Sequence, residues 1–465
     1  MHCQWRDCQE WSKIGLPLST TNNEACKMYD AVLTQYVGWY DDSSVGGVDA
    51  SLERLLQADP NFVMGKVLAN GLELLGTGKS IYTDTGLREG VEDLRRAVQN
   101  NGVNPRERKH AEAVQLWAEG DMTGACDKWE AIKQEHPTDM LAIKMAHDTY
   151  FYLGLGAPMR DSIAGVFPAW KPSMPHYSYL YGMHSFGLVE TNFHDQAEKA
   201  ARKGLELNQR DAWSTHTMAH VLEMGGRQDE GIAFMSTTMM DWNTCGMLAC
   251  HNYWHWAVYH IEKGEYTAAL DIYDNECGVR SKGSGALLDI VDACSLLYRL
   301  NMEGVDVGSR WEDLYETCRP HADDHILVFN DLHVLMSCLG AKQDEAAKKL
   351  VNALKNFVSE HQGTQSDIAK KVGVAMCEAF LAYDEGDFAK AVDLLTPVRY
   401  QVVTIGGSNA QRDLFNLFLI HAAIKSSEKR HHQLARNLLL ERKALKESAP
   451  MTDRLIAKAM AMHGD

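Results

Sequence analysis

One pattern limits what this chain can become: a small residue, a Gly-centred turn, a second small residue and a large side chain, returning at a nearly fixed interval. In the run 110–137 it reads Ala113, Gly120-Asp121, Ala125, Trp129, and then Pro137. The run 253–273 repeats it with Ala257, Gly264-Glu265-Tyr266, Ala269 and Tyr273, and 380–395 with Gly386-Asp387-Phe388 and Ala391. Small residues let two helices approach, Gly accepts the tight turn, and the large residue fills the gap to the next pair. One such pair cannot bury its own apolar face, so pairs must stack into an array.

Interhelix turns are expected at Gly120, Gly156, Asn192, Gly226, Gly264, Gly304, Ala341, Gly386 and about Arg430. The first four intervals match the 34-residue period of tetratricopeptide repeats, and the later ones carry longer loops. The predicted fold is all-α, a tetratricopeptide-type helix-pair solenoid (an α-superhelix) of about 9–10 repeats. Residues 1–104 read as divergent N-terminal helix pairs, 105–400 as the repeat array and 401–465 as C-terminal capping helices of one continuous solenoid. A 465-residue chain exceeds the size at which one globular core stops growing, which an elongated array resolves. Ahead of the array, 23–40 with 47–58 and 62–75 with 85–99 read as two helix pairs. The run Gly76-Thr77-Gly78-Lys79-Ser80 lacks the spacing and preceding strand of a phosphate loop and reads as a connection. Gly406-Gly407-Ser408-Asn409 reads as a helix cap, with anion binding as its alternative.

A formal charge of −17 disfavours nucleic acid and anionic membrane surfaces, both of which demand clustered Lys and Arg. No secretory signal and no membrane-spanning run of apolar residues is expected. Eleven cysteines lie singly with no Cys-x-x-Cys, which fits reduced thiols in the cytoplasm and sets aside a disulfide framework or a zinc finger.

Several runs resemble the tetratricopeptide repeat protein 38 family. They include Leu16-Pro17-Leu18-Ser19-Thr20-Thr21, Asn23-Glu24-Ala25-Cys26, His136-Pro137-Thr138-Asp139-Met140-Leu141, His251-Asn252-Tyr253-Trp254-His255-Trp256 and Gly406 through Asp413. The resemblance spans nearly the whole chain. It implies the fold and a cytoplasmic compartment, and it brings no catalytic residue.

The first helix of each pair should line the concave surface. Counting back from the turns, that surface receives Glu107, His110, Val114 and Trp117; Tyr179, Gly182, Phe186 and Val189; Trp213, His216, His220 and Glu223; His251, Trp254, Val258 and Ile261; Gly373, Met376, Phe380 and Tyr383. Clamps for acidic peptides need basic donors in the groove. This lining is aromatic, aliphatic and His-rich, as in a small-molecule pocket, unless these side chains are ordinary core.

The sharpest signal is a doubled histidine pair. His216 and His220 are four residues apart on one helical face that Glu223 continues. His251 and His255 repeat the spacing 35 residues later. Imidazole binds zinc, iron and copper, so His216, His220, Glu223, His251 and His255 are the candidate metal ligands, with catalytic residues unassigned. Trp213, Trp254, Phe186 and Tyr179 complete the candidate ligand-binding lining. Metal-free polar pocket and plain structural histidines stay open beside this, since the two pairs differ in register. His147, His184 and His333 read as core histidines, and Asp289, Asp292 and Asp331 as carboxylates that must be paired or carry a raised pKa.

Three functions compete: a small-molecule pocket with metal-dependent enzymatic activity, a protein–protein adaptor that grips peptide segments in the groove, and a structural subunit of a larger assembly, for which no residue gives a specific signal. The oligomeric state, monomer or homodimer, stays open.

Overall fold

The structure, a computed structural model, describes residues 2–100 and 102–463. Among them every regular element is helical. The helices pair antiparallel in the tetratricopeptide manner, for local reasons that are plain in the sequence. In the first clean repeat, Asn104 caps Pro105–Ala118 in a reciprocal capping box with Glu107, and Asp121 caps Met122–Glu135 by accepting from the Gly124 N–H. Gly120 between them has φ 93°, which lets the chain reverse without a Cβ clash.

A left-handed residue recurs at Gly154, Asn192, Gly226, Gly264, Gly304, Lys342 and Gly386. Three expected turns therefore shift. Gly156 begins the Gly156–Ala164 helix, and its turn lies at Gly154. Ala341 hands its role to Lys342. Arg430 lies inside a helix whose approach turn is 426–428. No helix among the described residues is long and apolar enough to cross a membrane.

The chain divides into two compact units, Met1–Thr217 with Met240–Ala249, and Met218–Met239 with Cys250–Asp465. We number the helices used below in chain order. The first unit contains α1 (Asn23–Gly38), α2 (Val63–Leu75), α3 (Pro105–Ala118), α4 (Met140–Tyr152) and α5 (Tyr179–Glu190). α6 (Ala212–Met224) is continuous through the boundary. The second unit contains α7 (Ala249–Lys263), α8 (Leu287–Met302), α9 (Val328–Gly340), α10 (Val374–Asp384), α11 (Asn409–Lys425), α12 (Lys429–Leu445) and α13 (Pro450–His463).

In each unit the inner face of the helix row is covered by another helix of the same chain. In the first it is α1, 13 of whose 16 residues are buried. A helix buried on nearly every side is stable only in an interior. The Tyr36 hydroxyl donates to Asp148 Oδ2 of α4 (2.7 Å), Trp213 Nε1 of α6 donates to the Val37 carbonyl (3.1 Å), and the backbone at Gly38 sits against the Tyr179 hydroxyl of α5. Lys144 of α4 is fully buried at this junction. Its ammonium donates to Asp148 and lies 4.4–5.1 Å from the rings of Trp213, Tyr36 and Trp39. Burial works to lower its pKa, and Asp148 opposes that; carboxylate and aromatic faces together make the buried charge tolerable.

In the second unit the covering helix is α11, with 12 of 17 residues buried. Phe418 stacks on Phe380 of α10 (centroids 4.0 Å, planes 8° apart), and Phe415 meets Phe329 and His333 of α9. The row then closes: Arg454 of α13 donates to the Ile261 and Glu262 carbonyls at the end of α7, and Gln228 Nε2 donates to the Ser448 carbonyl (3.2 Å). Arg454 thus satisfies helix-end carbonyls that have no partner within α7. The concave face expected on the first helices is, within each unit, packed against a helix of the same chain.

Phe418→Ala should remove the stacked pair and leave a cavity, costing roughly 3–5 kcal/mol. Urea unfolding should show this as a lower midpoint, whereas Tyr400→Ala, at an 81% exposed position, should leave the midpoint nearly unchanged.

Candidate metal centre

α6 begins at Asp211, whose carboxylate accepts from the Trp213 N–H (3.1 Å) and the Ser214 hydroxyl (2.6 Å). From that cap, His216 and His220 fall on successive turns of one face, and His251 and His255 do the same on α7. One ring nitrogen from each of the four imidazoles lies within 4.8 Å of the others, and all four side chains are buried. The group could hold a metal ion. His220 and His255 approach to 4.3 Å between centroids, and His251 and His255 to 4.7 Å. The register difference between the two pairs does not keep them apart.

Two carboxylates stand behind the imidazoles. His251 Nδ1 is 2.9 Å from both oxygens of Asp292 on α8, and His255 Nδ1 is 3.2 Å from Glu223 Oε2. A ring that donates Nδ1–H to a carboxylate presents Nε2 as its electron-pair donor, the usual second layer around a metal-binding histidine. Gln411 of α11 fixes Asp292 by donating to its Oδ1 (3.4 Å). Glu223, expected as a fifth ligand, thus lies outside the four-residue group and serves His255 instead.

Burial holds the His220 imidazole well below the ordinary range, with His255 adding to this and Glu223 opposing it. Burial also lowers His255 strongly, followed by His251 and Arg299. Neutral imidazoles are the form that ligates metal. An uncompensated dication in such a place would be costly, and the charges of Glu223 and Asp292 match that of a divalent ion. Tetrahedral zinc with Zn–N of about 2.0 Å sets nitrogens about 3.3 Å apart, so the rings must draw in by up to ~1.5 Å.

The aromatic neighbours divide. The Trp254 indole stacks on His251 (5.1 Å, 9°), while Phe186 and Trp213 lie 4.9 and 6.3 Å from His216. Tyr179 sits instead against Gly38, with its hydroxyl pushed above the usual range by burial. His147 and His333 are core histidines on backbone carbonyls, at 3.1 Å from Met183 O and 2.7 Å from Phe329 O. Asp331 pairs with His325 (3.0 Å). Asp289 accepts from the Ser284 hydroxyl (2.6 Å) and is pushed up to about 6 by burial. At Gly406 to Asn409 the arrangement is a helix cap: Ser408 and Gln411 bond reciprocally. Arg299 was not anticipated. It is buried on α8, 5.5 Å from the Trp254 ring, and donates to the Ala410 carbonyl (2.7 Å). Its only sequence signal is that it is the one basic residue of α8.

No family model matches the chain. Similar solved structures include a human IFIT1 dimer with PPP-AAAA, 11% identical, covering 94% of this chain and 95% of that one at a TM-score of 0.39. The APC/C hetero-tetramer Cut9–Hcn1 is 12% identical, with coverage of 94% and 84% and a TM-score of 0.40. Yeast Tom70 is 13% identical, with coverage of 93% and 88% and a TM-score of 0.34. Likenesses this distant carry nothing about this chain; its own stacked helix pairs and left-handed turns carry the fold. The chain is a tetratricopeptide-like helical repeat protein.

Burial raises the Asp211 carboxyl to about 7, against the pull of its Ser214 and Trp213 hydrogen bonds. Because its folded pKa exceeds its unfolded value of about 4, the native state holds the proton more tightly, and stability falls as pH rises between those values. Asp211→Asn keeps a capping oxygen and cannot ionise. It should flatten the pH dependence of the unfolding midpoint between pH 4 and 7, gaining on the order of 2 kcal/mol over the parent at pH 8.

Proposed function

We propose that this chain, a member of the tetratricopeptide repeat protein 38 family, binds one divalent transition-metal ion through His216, His220, His251 and His255 and acts on a small molecule there. The observation that carries this reading is the convergence of four buried imidazoles, two of them backed by carboxylates. An all-imidazole set suits zinc, iron or copper and disfavours magnesium and calcium. When bound, such an ion supplies Lewis acidity toward a carbonyl or a bound water. Four protein ligands would fill tetrahedral zinc, whereas six-coordinate iron would keep two positions for a substrate. The coordination number therefore separates a structural ion from a catalytic one.

The adaptor reading has less support. A peptide clamp needs an open inner face, and in each unit that face carries α1 or α11. The cytoplasmic reading rests on the cysteines, all of which are free thiols.

Elemental analysis of protein purified without an affinity tag should find one transition-metal ion per chain. His220→Ala and His251→Ala should each lose it while keeping the helical circular-dichroism spectrum. Asp292→Asn and Glu223→Gln should retain the ion but weaken its Kd about 10–100-fold. Protein that carries no ion, and shows no thermal shift with added zinc, ferrous iron or copper, would end the proposal.

A further inference from the structure

The sequence scatters its cysteines, yet the fold brings several together in pairs. Cys294 and Cys318 lie 3.6 Å apart, sulfur to sulfur, and Cys250 and Cys277 each reach the other's carbonyl. These four thiols are buried. The third pair differs. Cys8 Sγ lies 3.0 Å from Cys26 Sγ, and Cys8 is partly exposed whereas Cys26 is fully buried. The gap is about 1 Å longer than a disulfide bond of ~2.05 Å.

The surroundings hold both sulfurs in place. Cys8 opens the short Cys8–Lys13 helix, and its N–H donates to Asn23 Oδ1 (3.2 Å) at the start of α1. Cys26 lies in the first turn of α1. Two residues before Cys8, Arg6 forms an ion pair with the buried Asp30 carboxylate of α1. Further on, the Pro17 carbonyl accepts from Arg106 (2.9 Å) and the Ser19 N–H donates to Glu107 (2.9 Å). The segment 6–20 is thus a strap laid across the start of α1 and α3, and the two cysteines face each other across its seam.

We propose that Cys8 and Cys26 are a peroxide-oxidisable dithiol that locks this strap to α1. Cys8 is the residue an oxidant can reach. Its thiolate attacks the O–O bond of a hydroperoxide, taking one oxygen to become a sulfenic acid and releasing the other as an alcohol, or as water from hydrogen peroxide. Cys26 sulfur then attacks the Cys8 sulfur. The S–S bond forms, the S–O bond breaks, and the hydroxide leaves as water with the Cys26 proton. Each sulfur is oxidised by one electron, and the peroxide oxygens take both. Burial, and after it the neighbouring Cys8, holds the Cys26 thiol protonated, which fits a resolving partner and not the first nucleophile. The proximity of the two sulfurs offsets that handicap by raising their effective concentration.

The test uses the full chain treated with hydrogen peroxide and mapped by peptide mass spectrometry without reduction. A Cys8–Cys26 cross-link, two hydrogens lighter than the dithiol peptides, should form ahead of any other. It should vanish in Cys8→Ser and in Cys26→Ser and persist in Cys3→Ser. Tryptic cleavage after Arg6 and Lys13 should slow at least ~10-fold in the oxidised protein and recover on reduction. Cys8 advancing to sulfinic acid while Cys26 stays a free thiol would overturn the proposal, and so would a cross-link made chiefly to Cys3 or between chains.

Discussion

Stacked helix pairs cover one another along the row but leave the inner face of the row to be hidden by something else. Here that need is met within the chain, and much of the structure follows from it. α1 and α11 are buried along most of their length because each is surrounded. Several polar groups they bring inside are matched: Tyr36 with Asp148, Gln411 with Asp292, the Ala410 carbonyl with Arg299. Each match ties the inner helix to a particular member of the row, so the register of the interior is set by a few buried polar contacts amid an otherwise non-directional apolar core.

The candidate metal centre inherits its geometry from this arrangement. Helix periodicity alone places His216 over His220 and His251 over His255. Their convergence depends on how α6 and α7 pack, and Asp292 reaches His251 from α8, where α11 holds it through Gln411. The imidazoles are oriented by carboxylates that are themselves oriented, the layering that precise metal ligation requires.

What the sequence disclosed was whatever is encoded locally. Small residues, Gly turns and capping residues located the helix pairs to within a residue or two, including those before the array. The four-residue spacing marked the histidines. Where local encoding ended, so did legibility. Gly156 reads as a turn by its spacing, while Gly154, two residues earlier, has the left-handed backbone. The inner role of α1 is invisible in the sequence, since a mostly apolar helix reads the same in any interior. Asp292 stood out as a buried carboxylate, but its pairing with His251, 41 residues away, depends on the packing of α7 against α8. Glu223 shares a helical face with two histidines and serves a third on another helix.

The two inner helices occupy opposite places along the chain, and this bears on the order in which the molecule can be completed. A chain emerges from its N-terminus, and early segments fold first. α1 is made before the row it fills, so the helices of the first unit can condense around a core that already exists. α11 is made after α7, α8, α9 and α10, and these must wait with an apolar inner face exposed until synthesis reaches residue 409. The histidines of α7 belong to that waiting group, and Asp292 gains its Gln411 contact only at the close. The second half of this protein is therefore the half that stays open longest during synthesis, and its candidate metal centre is among the last features to be completed.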